Sequence, residues 1–415
     1  MVFPKGFPHF SIRDCLRGLR TGHRNRAATN WKKQGEELTG HKLVFSTLLY
    51  LLSNFVLAAA SGGTAVPIDI PLGVREGFSA TAIAPIGSGR YCVTGSVYED
   101  AGPSDSALVL LVDVNSRQVV WRTRLPYGHD YVGNTATRCM GDGNAFYVIT
   151  QERTNNSEAL NQTRIVVNKI SSKGKLLKQE PVKAGFDEWV YFLDVQPDAI
   201  SIAGGTSATL DRGGKFGTFI TKLDSNLVQT KIVKLDTGAF WTGTSARLDG
   251  QHLMVSGSFL PNKTSSSGDE AFAVSKIDLR SGTYIWSNYA SPANTQEAAS
   301  AFGPDGVIYV AALAGANLSV SVVDRGGKTV NGFSVKKPFC SIGALALEGR
   351  GLAAIGSSCS GGSSSVIVAI DLAGKTARVV NQLDNDMSVP IFDGHSLVGI
   401  VSTTAAGKVL RRSTQ

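Results

Sequence analysis

The sequence predicts an all-β protein, a single β-propeller of seven four-stranded blades whose ring is closed by an N-terminal strand. Three observations predict it. A strand–turn–strand unit recurs six times, with its turn-leading residue at Asp113, Ser171, Asp224, Asp278, Asp324 and Asp371, so at intervals of 58, 53, 54, 46 and 47 residues. A four-strand repeat of about 40–50 residues is the signature of a propeller blade. No long 3.6-residue periodicity interrupts the series, which argues against parallel strands and their helical crossovers. An incomplete seventh unit at the C-terminal side is matched by a lone strand-like run, Ala65–Leu72, at the other end. Eight blades, or six plus an irregular cap, are the alternative counts.

Each unit has the same internal order. Two apolar runs are joined by a tight turn, seen at Gly87–Gly89, Asp142–Gly143, Pro197–Asp198, Asp249–Gly250, Asp305–Gly306, Gly349–Gly351 and Asp393–Gly394. Such turns need positive φ or an Asx hydrogen bond, hence Asp and Gly. A loop follows, then the second hairpin, clearest in AFAVSKIDLRSGTYIWS (271–287). The seventh unit offers Met387–Phe392 and Ser396–Ser402 and at most one more strand; Ala65–Leu72 supplies the fourth, removing the exposed sheet edge. The propeller is assigned to 65–415.

The units LLVDVNSRQVVW (110–121) and SKIDLRSGTYIW (275–286) resemble the repeats of pyrroloquinoline-quinone-type propellers, in which an apolar strand, an Asp turn and a strand ending in Trp recur. The unit GTFITKLDSNLVQTKIVKL (217–235) looks more like the related repeats of bacterial surface propellers. The resemblance implies a bacterial-type envelope propeller. Quinone enzymes of that class carry an adjacent cysteine pair and a calcium site; this chain has no adjacent cysteines, so no cofactor and no metal are expected. Relatives of this repeat without the cofactor are scaffolds or binding modules.

Ahead of the propeller, residues 1–42 form a basic leader of net charge +6, and 43–60 carry no charge, which leaves the body near neutral at +2. A body so nearly neutral has no broad basic surface for phosphates, so no nucleic-acid partner is expected. Leu43–Ala60 is an apolar run ending in three alanines. It is a cleaved signal peptide or an uncleaved signal-anchor helix. The expected location is periplasmic or secreted, or else the inner membrane, anchored by that run with the propeller outside the cytoplasm; contact with a membrane is expected only through it. Four cysteines remain beyond it. An oxidising compartment and the repeat positions suggest disulfides Cys92–Cys139 and Cys340–Cys359; four buried thiols are the competing reading.

Candidate site residues come from the loops that enter each blade's first, axis-lining strand. Tyr131, Trp189 and Trp241 fall at similar places in three successive blades, beside His129, Asp130, Asp187, Glu188 and Glu297. Aromatic faces with carboxylates at a concave mouth suit a sugar or peptide; equally, the aromatics could wedge neighbouring blades together. Long loops at 98–106, 152–163, 206–215 and 260–270, against a short 314–317, suggest a working surface over blades one to four; insertions tolerated in exposed polar loops are the competing reading. With three histidines in the propeller and no GxSxG, P-loop or HExxH motif, catalysis is poorly signalled. The expected role is a binding or scaffold module for a protein, peptide or glycan. The runner-up is a polysaccharide lyase or hydrolase using Glu297, Asp187 and His129, or a diverged quinone oxidoreductase.

Overall fold

The computed structural model describes residues 66–74, 77–98, 104–156, 162–207, 216–235, 238–240, 245–261, 271–289, 295–359 and 364–414. The leader 1–42, the run 43–60, Trp241 and the crowns of several long loops lie outside the described residues. The described strands form seven antiparallel sheets. Blade one comprises Phe78–Gly87, Arg90–Tyr98, Asp105–Asp113 and Gln118–Leu125, and the later blades repeat this order. The first strand of blade four is split into Gly238–Phe240 and Ser245–Asp249, both paired with His252–Pro261.

Burial follows strand position. Second and third strands read as nearly continuous apolar runs because both their faces are covered; Arg90–Tyr98 is buried from Tyr91 to Val97. Fourth strands are more exposed, and in Gln118–Leu125 and Tyr284–Asn288 burial alternates because one face meets solvent. The core is accordingly distributed in seven apolar clusters, one at each seam between neighbouring blades. First strands touch in sequence around the ring, and that of blade seven (Met387–Asp393) touches that of blade one.

The ring closes as the sequence suggests. Ile68–Pro71 pairs with Gly407–Thr414 to complete blade seven, in the register Ile68↔Arg412 to Pro71↔Val409. Arg411 holds Asp69 through two hydrogen bonds, 2.7 and 2.6 Å. Ile70 is fully buried in the seam between blades seven and one. Arg122, on the last strand of blade one, donates twice to the Leu72 carbonyl, at 2.9 and 2.7 Å.

The repeated hairpin explains its own residues. Asp113, Asp224, Asp278, Asp324 and Asp371 each accept two backbone N–H groups from their own turn through Oδ1; for Asp278 these come from Arg280 at 2.6 Å and Ser281 at 3.0 Å. The last residue of the unit then reaches the next blade. The Trp121 indole donates to the Ser172 carbonyl at 3.2 Å and Trp286 to that of Arg325, also at 3.2 Å. Each ring lies against a glycine of that turn, Gly174 or Gly327, at φ +81° and +85°, where a Cβ would collide with the indole. Where the slot holds lysine a similar bond is made one residue further along the next turn: Lys178 donates to the Asn226 carbonyl (2.6 Å) and Lys231 to that of Arg280 (3.1 Å).

Two disulfides are present among the described residues. Cys92–Cys139 joins blades one and two, with an S–S distance of 2.03 Å. Cys340–Cys359 ties the loop entering blade six to the segment just after that blade's second strand, which ends at Ser357.

Candidate functional site

The face around the entering loops of blades two and three carries most of the predicted residues, but the frame already employs several. Trp189 is 8% exposed. It lies within the first strand of blade three, Phe186–Val195, rather than in the loop before it, and its indole N–H donates to the Phe240 carbonyl of blade four at 2.7 Å. Its ring meets Phe216 edge-on at 6.2 Å. Gly205, its partner across the ladder, leaves room for the ring; a Cβ there would fall inside the indole. The expectation that Trp189 faces a ligand is thus corrected to a seam-filling role, and the reason is tertiary: the neighbouring strand's glycines create the slot. Gly204–Gly205 was the signal, since paired glycines inside a strand mark a close approach.

The carboxylates are held separately. Glu188 is 2% exposed and accepts N–H bonds from Ala184 (2.6 Å), Gly185 (3.0 Å) and Ile165 (3.2 Å). Burial pushes its pKa above the ordinary glutamate value, although those three amides pull the other way. Asp187 sits at φ +45°, a conformation Asp tolerates, and Oδ1 accepts from Gln162 (2.9 Å) and Thr163 (3.3 Å) of blade two. Glu297 lies inside the first strand of blade five and accepts the Ile342 N–H at 2.9 Å. Asp187 and Glu188 therefore serve the seam between blades two and three, and Glu297 that between five and six. This does not assemble the predicted acid–base set. His129 pairs with Asp130 at 2.8 Å, with their side chains 93% and 74% exposed. Among the described residues no group of three or more His, Cys, Asp or Glu side chains could hold a metal ion.

Tyr131 is different. Its ring forms one wall of a cavity of about 460 Å³ between blades two and three, together with Arg164, Lys183, Phe186, Glu188 and Lys234. The Arg164 guanidinium stands 4.3 Å from the ring centroid and is steered there by buried Glu152, whose Oε2 accepts its Nε–H at 2.7 Å. Burial raises the Tyr131 phenol above its ordinary pKa. Lys183 and Lys234 are exposed on the rim. The cavity thus combines an aromatic face with three cations, and its one lining carboxylate is already saturated by backbone donors. Such a set can stack a ring or an apolar segment and attract a carboxylate or sulfate. The sequence pointed to Tyr131 but not to Arg164 and Lys234, near strand ends, or Lys183, just beyond one, which converge only when blades two and three pack together.

No family model matches the sequence, and no curated protein matches it. Among solved structures, the chain is similar to the β-propeller domain of the Trilobed protease from Pyrococcus furiosus, with TM-score 0.48 and 8% identity over 81% of this chain and 93% of that one. A protein from Lactobacillus plantarum gives TM-score 0.47 and 14% identity over 74% and 85% of the two chains. A europium-containing methanol dehydrogenase gives 0.44 and 10% over 80% and 81%.

Proposed function

We propose that this propeller is an exported binding module, acting without turnover, whose blade one-to-four face takes a protein, peptide or glycan ligand. The observation that carries the reading is the cavity between blades two and three, where Tyr131 offers a ring face and Arg164, Lys183 and Lys234 supply positive charge. The ligand segment it suits carries a carboxylate or sulfate beside a ring or apolar group. Glu188 is buried and holds three backbone N–H groups, and Asp187 and Glu297 accept backbone N–H groups at two different seams, which supports binding over a shared acid–base set. The apolar run 43–60 supports export, to the periplasm or beyond, or anchoring with the propeller outside the cytoplasm.

The test is binding to arrays of acidic and neutral oligosaccharides and peptides. The double variant Lys183→Glu and Lys234→Glu should lose at least tenfold in affinity for the acidic probes while its unfolding temperature stays within a few degrees, because both side chains are exposed. Unchanged affinity in that variant overturns the assignment of the cavity.

A further inference from the structure

We propose that the axial channel of the propeller is an oxyanion site, in which Arg138 grips a carboxylate or phosphate group of a small ligand. This site is separate from the cavity between blades two and three and does not depend on it. A cavity of about 500 Å³ runs along the first strands of blades one to four, lined by residues 82–84, 138–140, 191–194 and 246–248. The charged side chains facing it are Arg138, Arg247 and Asp194. Asp194 receives the Gln196 amide at 3.0 Å. Among the described residues Arg247 has one hydrogen bond, a long one of 3.4 Å to the Phe302 carbonyl.

Arg138 is the anomaly. Among the described residues its sole hydrogen bond is Nη1–H to the carbonyl of its own neighbour Thr137, at 2.9 Å, and it forms no ion pair. A guanidinium has five N–H donors, so most of its donor capacity is left over at the cavity lining. The side chain is partly accessible, yet it lies deep enough that burial depresses its pKa below the ordinary arginine value. Placing a charge there without a partner is costly. A bulge in the strand positions it: Ala136 pairs with Thr150 and Arg138 with Ile149, so Thr137 is the extra residue and the strand's side chains are re-aimed. The planar fork of arginine matches carboxylate and phosphate oxygens two at a time. With two guanidinium groups against one carboxylate, the channel favours an anion.

The test uses the full chain, titrated by calorimetry and thermal unfolding with inorganic phosphate and, separately, with malonate, against sodium chloride of equal ionic strength. Wild type should bind at least one of the two and unfold at a higher temperature in its presence but not in chloride alone. A response to phosphate alone identifies a phosphorylated ligand, and one to malonate alone an organic acid. Arg138→Gln should weaken that binding at least tenfold, with Arg138→Lys in between because it keeps the charge and loses the fork. Without any oxyanion, Arg138→Gln should unfold at the same temperature as wild type or higher, since it removes an uncompensated charge. Wild type responding no more than in chloride, equal binding by Arg138→Gln, or a marked loss of stability in that variant without oxyanion would each overturn the proposal.

Discussion

At the scale of single residues, the buried groups of the candidate face divide sharply by what satisfies them. Trp189 fills a slot made by Gly205 and donates to Phe240, so Trp189→Ala should cost about 3–5 kcal/mol of stability, measured by denaturant unfolding. A side chain held open for a ligand would leave stability untouched. The sequence showed the aromatic residues at propeller mouths, but whether a ring points into a seam or out of it depends on the strand hydrogen-bonded beside it. That is why Trp189 and Tyr131 looked alike in the sequence and differ in the structure. Trp241 lies outside the described residues. Arg138 was not legible at all: a bulge between two strands decides its direction, and nothing in the local sequence marks a bulge.

At the scale of the element, the hairpin turn is the most legible part of the chain, because an Asx turn is made within four or five residues. Its aspartates carry a pH signature. Backbone donors, Ser116 first for Asp113 and Ser281 first for Asp278, hold these carboxyls below the usual aspartate range. A carboxyl with a depressed folded-state pKa contributes stability above its unfolded value of about 3.9 and loses it as pH falls through the folded one. Glu188 has the opposite sign: burial raises its pKa, so acidification through the range just above the ordinary glutamate value adds stability. Thermal unfolding between pH 3 and 7 should therefore show a steeper acid loss in wild type than in Asp113→Ala, whose midpoint is lower at neutral pH and converges on wild type in acid. Parallel curves would contradict this. The exchange of Trp for Lys at the slot of 121, 178, 231 and 286 carries a related lesson: the inter-blade bond goes to a backbone carbonyl, so residue identity there is free to drift.

At the scale of the whole molecule, the blade count and ring closure were both readable, since seven turn pairs and one spare strand leave little freedom. Deleting residues up to Pro71 should strip the outer strand from blade seven, empty the Ile70 pocket and expose the Gly407–Thr414 edge. Loss of a sharp thermal transition together with aggregation is the expected result. Reduction should also weaken the ring. The two disulfides close separations of 47 and 19 residues, each worth up to about 3–4 kcal/mol by loop entropy, and the midpoint in denaturant should fall on adding dithiothreitol. A ring clamped in this way is the rigid frame on which the proposed binding face rests.

Native mass spectrometry of the full chain purified from its own source cells tests that reading most directly, alongside the Lys183→Glu and Lys234→Glu double variant prepared the same way. The wild-type protein should carry a peptide or glycan mass that is released unchanged on denaturation and is absent from the double variant. The same ligand mass on both proteins, or a ligand recovered cleaved or oxidised, would contradict it.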